Sequence, residues 1–381
     1  MGITHPYFFV SSDKIDGILR KTMKYILVTG STGDLGSCIC EQLALREDYH
    51  LLLLVRAQSL NKVRFVVDSL EMRGRKIDSL RSVKSRVTVF CGDIRRENFG
   101  LKVGEYSRLV NLVDEVYHAA AEIGFNLTLE EVRNTNVGGC ENIVAFIKDS
   151  NKVSKLHYIS TTFVLGDSEK TLAENSLDLG QRFNNSYERS KYEAEKYLSR
   201  SLSGDANIFR TSILTGKFED GSIKNFKLLY EAMRLFSRGV VEIFPGSKRV
   251  RHNIIPVDIA AMAIVLIAES KCEPSTYHII SPNTVNCYDL LKNAAKYFGY
   301  CNPRWIKPSE FKSRRISSIQ RRIIEPFVPF FSYKGRYSAD YTEKILKDLG
   351  FAIPKVGVDY VNRLFQYMNK VGYIKKKHSL S

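Results

Sequence analysis

Apolar residues in this chain come in short uninterrupted runs separated by longer stretches of helical spacing, the pattern of buried parallel strands joined by helices. The runs that read as strands begin at Lys24 and continue with Leu51–Val55, Arg86–Cys91, Val113–His118, Lys155–Ser160 and Phe209–Leu214; Tyr277–Ile280 returns as a further one. Between them the spacing predicts a helix through Cys38, Leu43 and Leu45, another over Asn61–Met72, one opening at Asn134 and running through Ile147, one from about Ser186 to Leu202, and one over Ile255–Ala268. Such alternation implies an α/β fold with a doubly wound parallel sheet, whose ligands lie at the carboxyl ends of the strands.

Past residue 214 the alternation becomes irregular. Residues 24–216, with 254–282 returning to them, are expected to form a nucleotide-binding domain. Residues 217–253 and 283–374, rich in Phe, Tyr and basic side chains and broken by Pro303, Pro308, Pro326 and Pro329, are expected to form a smaller C-terminal substrate domain. Residues 1–23 read as an extension with a short helix around Ile15–Leu19, and 375–381 as a solvated basic tail.

The stretch Tyr25–Gly36, YILVTGSTGDLG, organises the rest. An apolar strand runs into Gly30-Ser31-Thr32-Gly33, and Gly36 lies within the first turn of the following helix. The first glycine would allow the sharp turn, the second close approach of a pyrophosphate, and the third close packing of the helix. The helix N-terminus would offer free N–H groups to phosphates. The spacing is G-x-x-G-x-x-G rather than the G-x-G-x-x-G of the usual dinucleotide fingerprint, and the flanking strand and helix supply the context that the glycines alone lack. Arg56 follows the second strand, where this kind of fold reads the adenosine ribose; an arginine there favours a 2′-phosphate and points to NADP, the lesser alternative being an exposed strand-end arginine. Asp93, with Ile94 next to it, ends the third strand and could accept from an adenine amino group. Ala119 and Ala120 end the fourth and would let the nicotinamide side lie against backbone, while the neighbouring His118 reads better as a satisfied buried histidine than as a catalytic one.

Charge and cysteine content narrow the partners. With 57 Lys+Arg against 41 Asp+Glu, the chain carries +16, which should attract phosphorylated or acidic molecules. The basic residues are scattered and no nucleic-acid-binding signature is present, so a phosphate-bearing cofactor, coenzyme A or an acidic carrier protein is expected rather than nucleic acid. The 7 cysteines include no C-x-x-C pair and the 7 histidines no H-x-x-x-H, so free thiols and no metal site are expected. No apolar stretch is long enough for a membrane span and the N-terminus lacks signal-peptide order, which points to the cytoplasm. Oligomeric state is not readable.

Candidate chemistry sits at the end of the fifth strand and on the helix after it. Tyr187 and Lys191, four apart, share a helix face, and Ser160, Thr161 and Thr162 end the strand. The same Y-x-x-x-K spacing recurs at Tyr192, Tyr288 and Tyr373, and position picks out Tyr187. An ammonium beside a phenol lowers its pKa, so Lys191 could activate Tyr187 while holding a ribose, and Thr161 would offer a second hydroxyl to a developing oxyanion.

TGSTGDLG, Arg56, GDI, HAAA, NTNVGG, STTFV and YERSK, in this order, resemble the extended short-chain dehydrogenase/reductases over about residues 24–280. The resemblance implies a Rossmann-type sheet with a small C-terminal substrate domain. It also implies active-site roles for Asn136, Thr161, Tyr187 and Lys191, and cofactor contacts from Gly30, Ser31, Thr32, Gly33, Gly36, Arg56, Asp93, Ile94, Ala119, Ala120 and Lys191. Within that family LLLLVRA, FRTSILTG, IIPVDIA and the end of the chain look like thioester reductases and fatty acyl-CoA reductases. Two departures stand out: Asp34 replaces a usual apolar residue beside the pyrophosphate site, and Tyr192 a common tryptophan.

The resemblance implies NADPH-dependent reduction of an acyl thioester, on coenzyme A or a carrier protein, to an aldehyde, with onward reduction to the alcohol left open. Ile323–Phe331, with Phe327, Phe330 and Phe331, is the candidate acyl wall, or else core of the small domain. A sugar-nucleotide epimerase or hydroxysteroid-type dehydrogenase on the same scaffold is the competing reading, and a non-catalytic NADP-binding regulator a third. A nucleotide-sugar dehydratase is disfavoured because Thr161 is followed by Thr162-Phe163 rather than an acidic pair.

Overall fold

A computed structural model describes residues 23–76, 83–124, 127–202, 205–239, 242–273, 275–313 and 317–377. The expected helix at Ile15–Leu19 and the last residues of the basic tail lie outside the described residues. Seven strands, β1 (Lys24–Thr29), β2 (Tyr49–Val55), β3 (Val87–Cys91), β4 (Glu115–His118), β5 (Lys155–Thr161), β6 (Ala206–Thr211) and β7 (Thr276–Ile279), form one sheet in the order β7-β6-β5-β4-β1-β2-β3. Every neighbouring pair is parallel. From β1 the chain winds outward through β2 and β3, then returns to start the other half at β4. That reversal puts a crevice at the carboxyl ends of β1 and β4, where such sheets take ligands.

Both faces of the sheet are covered, which is why its strands are continuous apolar runs rather than alternating ones. Ile26 and Val28 of β1 pack towards α1 (Asp34–Leu43), α2 (Leu60–Lys76) and a later helix over Val257–Glu269, whereas Leu27 packs towards α3 (Val103–Leu112) and the helices after β4. The expected single helix from Asn134 is two, α4 (Leu129–Asn136) and α5 (Gly138–Asp149), because Thr128 and Glu131 form a reciprocal N-terminal cap that starts α4 early and Val137 ends it. α6 (Ser186–Ser201) lies where expected and is capped by Asn185, whose side chain accepts from the Glu188 amide.

The expected sixth strand is shorter. β6 ends at Thr211, and Ile213–Thr215 pairs instead with Ile254–Pro256, so the following helix starts at Val257. A third core lies outside the sheet: α7 (Leu229–Ser237), α9 (Cys287–Phe298) and the helix Val358–Lys370 pack an aromatic-rich cluster, with the Val257–Glu269 helix, α8, staying on the sheet. Phe163, just past β5, belongs to this third core. The carboxyl end of β5 is therefore the seam between sheet and aromatic cluster. Among the described residues no helix is long and apolar enough to cross a membrane, no cluster of His, Cys, Asp and Glu is arranged to hold a metal, and the cysteines are unpaired.

Candidate active site

Two cavities meet at Glu122, which lines both. The smaller, of about 190 Å³, is a cleft at the ends of β1, β2, β3 and β4, lined among others by Gly30, Thr32, Gly33, Arg56, Asp93, Ile94, Ala119 and Ala120. The nucleotide-binding residues expected from the sequence are thus brought together, apart from Ser31, Gly36 and Lys191. Gly30 has φ +73°, and a Cβ there would lie 2.5 Å from the Ala120 nitrogen. A Cβ at Gly36 would lie 2.1 Å from the Gly30 carbonyl oxygen, so this glycine lets α1 press against the loop itself rather than against the sheet. Gly33 is the N-cap of α1 and supplies no side-chain cap, leaving first-turn amides to face an anion. Ser31 lies below, its Oγ buried without a partner among the described residues. A cradle that a Cβ would fill and an uncapped helix end fit a dinucleotide pyrophosphate.

At Asp93 the cleft holds a second basic residue. Asp93 does not present a free carboxylate: Arg95 donates to it through Nε and Nη at 2.6–3.0 Å, which holds the acid below its ordinary range. Arg95 lines the cleft beside Arg56, so two guanidiniums face this end. The basic pair directly after GDI was the signal for it. Asp34 is turned the other way. Its carboxylate accepts from the Lys224 and Asn225 amides at 2.9 and 3.2 Å and from the Asn225 side chain at 3.0 Å, and it lines the larger cavity, not the cleft.

The larger cavity, of about 1300 Å³, has Thr161 and Tyr187 in its wall. Burial pushes the Tyr187 phenol above its ordinary value, and the neighbouring Thr161 hydroxyl works against that shift. Opposite lie Ile323, Pro326, Phe327 and Phe330, so most of the candidate acyl wall is where it was expected. Phe331 is not; it packs on Phe244 with ring centres 4.5 Å apart, in the aromatic core. Tyr192 is also elsewhere, 5.0 Å from the Phe183 ring, which supports the choice of Tyr187.

Lys191 is buried in the structure, and its ammonium donates to the Ile159 carbonyl at 2.6 Å and sits 4.0 Å from the centre of the Tyr158 ring. A charge so deeply buried takes the acceptor that is nearest, and here that is backbone rather than the Tyr187 phenol. Burial also pushes it down to about 8. Asn136 reaches the site indirectly: its amide exchanges bonds with the Glu122 backbone at 2.8 and 3.0 Å and donates to Ser190 Oγ at 2.9 Å, and Ser190 donates to the Tyr187 carbonyl. It fixes the seam between the cavities and the start of α6.

The three strand-end hydroxyls diverge. Ser160 donates to Glu195, which is held by a bidentate buried bond from Arg210, and only Thr161 faces the larger cavity. Thr162 faces away from it. His118 is buried, bonded through Nδ1 to Thr29 at 2.7 Å, and pushed down to about 3 by burial, so it is a neutral structural residue.

A model of the family described as male sterility protein, of NAD-binding type, matches residues 28–264. Among curated proteins, a linear gramicidin synthase protein of Brevibacillus parabrevis is 24% identical over 373 residues, covering 92% of this chain but 7% of that protein. A fatty acyl-CoA reductase of Drosophila melanogaster is 23% identical over 301 residues, covering 69% of this chain and 58% of its own length. The chain therefore spans a small part of the first and less than two thirds of the second. Among solved structures, the terminal R domain from the myxalamid PKS-NRPS biosynthetic pathway superposes with a TM-score of 0.77 at 24% identity, covering 94% of each chain.

Proposed function

The chain belongs to the male sterility protein family, extended short-chain dehydrogenase/reductases that bind NAD(P), and from that membership we propose that it is an NADPH-dependent reductase of acyl thioesters. The observation that carries this reading is the Thr161–Tyr187 hydroxyl pair, set in the wall of a mainly apolar cavity that adjoins the nucleotide cleft at Glu122. A phenol held protonated at neutral pH is a donor rather than a base, which suits reduction.

The substrate carbonyl oxygen is placed between Thr161 and Tyr187, with the acyl chain along Ile323, Phe327 and Phe330. NADPH, when held in the cleft at Gly30, Gly33 and Arg56, would supply the hydride for the carbonyl carbon. The two hydroxyls stabilise the charge that builds on oxygen. Collapse of the tetrahedral centre breaks the C–S bond; the electron pair leaves on sulfur, which takes a proton, giving an aldehyde and a free thiol. Asn136 and Ser190 position Tyr187, and Lys191 braces the end of β5.

Arg56 and Arg95 favour the 2′-phosphate of NADPH. The thiol is carried by coenzyme A or an acidic carrier protein, drawn in by the +16 charge. We assign substrate binding to residues 217–253 and 283–374, and the free cysteines fit the cytoplasm. The test is NADPH consumption with medium- and long-chain acyl thioesters, with released thiol counted and aldehyde or alcohol identified. NADPH oxidation without thiol release, or turnover confined to nucleotide sugars, would overturn the reading.

A further inference from the structure

Helix α6 meets the end of β5 along one face. Tyr187, Lys191 and Glu195, spaced four apart, share that face. Lys191 donates to the Ile159 carbonyl, and the Ser160 hydroxyl donates to Glu195. Thr161 and Tyr187, at the open end, line the larger cavity together. Past Thr161 the chain is held by Phe163, wedged between the Phe330 and Tyr333 rings at 5.3 and 5.4 Å, an aromatic partition between that cavity and the one that Thr162 lines.

Glu195 is held in its turn. Ser160, Arg210 and His278 are in register on β5, β6 and β7 and form a single row across the sheet. Arg210 donates to Glu195 through Nε and Nη2 at 3.0 and 2.7 Å, and through Nη1 to the Ser176 carbonyl at 2.7 Å and to His278 Nε2 at 3.2 Å. A carbonyl only accepts, so His278, bonded through Nδ1 to the Ser338 carbonyl at 2.6 Å, carries its proton there and meets Arg210 as a neutral acceptor. Ser160, Glu195, Arg210 and His278 are each 2% exposed or less.

A buried ion pair gains little stability over apolar side chains of the same size. What this one does is geometric. Successive strand residues point to opposite faces, so holding Ser160 against α6 fixes the direction in which Thr161 points. Glu195 lies two turns along the same helix face from Tyr187.

Resting on the reading of Thr161 and Tyr187 as donors to the carbonyl oxygen, we propose that Glu195 is a positioning residue: held by Arg210, it takes the Ser160 hydroxyl, locks the end of β5 to α6 and so sets the spacing of the two donors. Ser160 and Arg210 share the task. None of the three lines the larger cavity, so each acts on the rate only through Thr161 and Tyr187.

The test measures steady-state reduction of one acyl thioester by the full chain with NADPH, alongside NADPH affinity and melting temperature. Ser160→Ala removes the hydroxyl and leaves Glu195 paired with Arg210. Its kcat should fall about tenfold, with KM and the NADPH dissociation constant within about twofold, because misplaced donors cost the transition state rather than the bound states. Ser160→Thr, which keeps a hydroxyl, should retain most of the rate. Arg210→Lys keeps the charge but not the planar fork and should show the same split between kcat and KM. An unchanged kcat in Ser160→Ala, a loss as deep in Ser160→Thr, or a fall in kcat that only follows the loss of folded protein would overturn the assignment. Full turnover by Tyr187→Phe, or no turnover of any thioester by the unaltered protein, would instead overturn the underlying reading, and this assignment with it.

Discussion

Arg95 grips Asp93 through both Nε and Nη, and the pair lines the same cleft as Arg56. The acid that a sequence reading would give to adenine is therefore an anchor for a second cation. NADPH should bind at least about tenfold more tightly than NADH, since a charge-assisted hydrogen bond contributes roughly 1.5–3 kcal/mol. Arg56→Asp should narrow or reverse that gap, and Arg95→Ala should reduce it. Dissociation constants from fluorescence titration decide the matter, and equal affinity for both cofactors in the unaltered protein would remove the role from both arginines.

Turnover should depend on the hydroxyl pair. Tyr187→Phe is expected to abolish most activity with NADPH binding nearly intact, and Thr161→Val to cost roughly 10²–10³ in kcat, the usual loss for one oxyanion donor. Tyr192→Phe should change little, because that ring packs on Phe183 away from the cavity. Steady-state assays on the three variants test this, and substantial activity in Tyr187→Phe would show that another group donates the proton.

Lys191 should weaken the fold it sits in. Its ammonium is pushed from 10.5 to about 8, so between those pH values the unfolded chain binds more protons than the folded one and stability rises with pH. Below about pH 8 the full penalty stands. Lys191→Met should therefore be more stable than the parent at pH 7, by roughly 2 kcal/mol once the lost bond to Ile159 is counted, and the difference should shrink by pH 10. Urea unfolding at both pH values measures it; a destabilised variant with no pH dependence would contradict it.

Chain-length preference should lie in Phe327 and Phe330. Shortening either to Ala enlarges the apolar cavity and should move the optimum towards longer or bulkier acyl groups, whereas Phe331→Ala should lower stability by about 3–5 kcal/mol without changing the preference. Initial rates across an acyl-chain series, with melting curves for each variant, separate the two effects.

The sheet and its cleft were legible in the sequence because their signals are local. A buried parallel strand is a short apolar run, and Gly30 is dictated by a turn within the same few residues. What was not legible depends on partners far along the chain. Lys191 lies one helix turn from Tyr187, yet its contact is with Ile159, 32 positions earlier. The opposite facings of Ser160, Thr161 and Thr162 depend on Glu195, the cavity and the aromatic partition, none of which spacing reveals. Phe327 and Phe331, four apart in one aromatic run and with ring centres 6.4 Å apart, differ in that only the first of them also lines the cavity.

Asp34 ties the head of α1 to the wall of the larger cavity. Its carboxylate stands at the head of the helix whose amides face a pyrophosphate, and the segment it grips at Lys224 and Asn225 is a wall of the acyl cavity. Any shift of α1 against the 224–225 segment has to break the same three hydrogen bonds. A ligand that moves either one would therefore change affinity at the other site, and by thermodynamic reciprocity the effect would be equal in both directions.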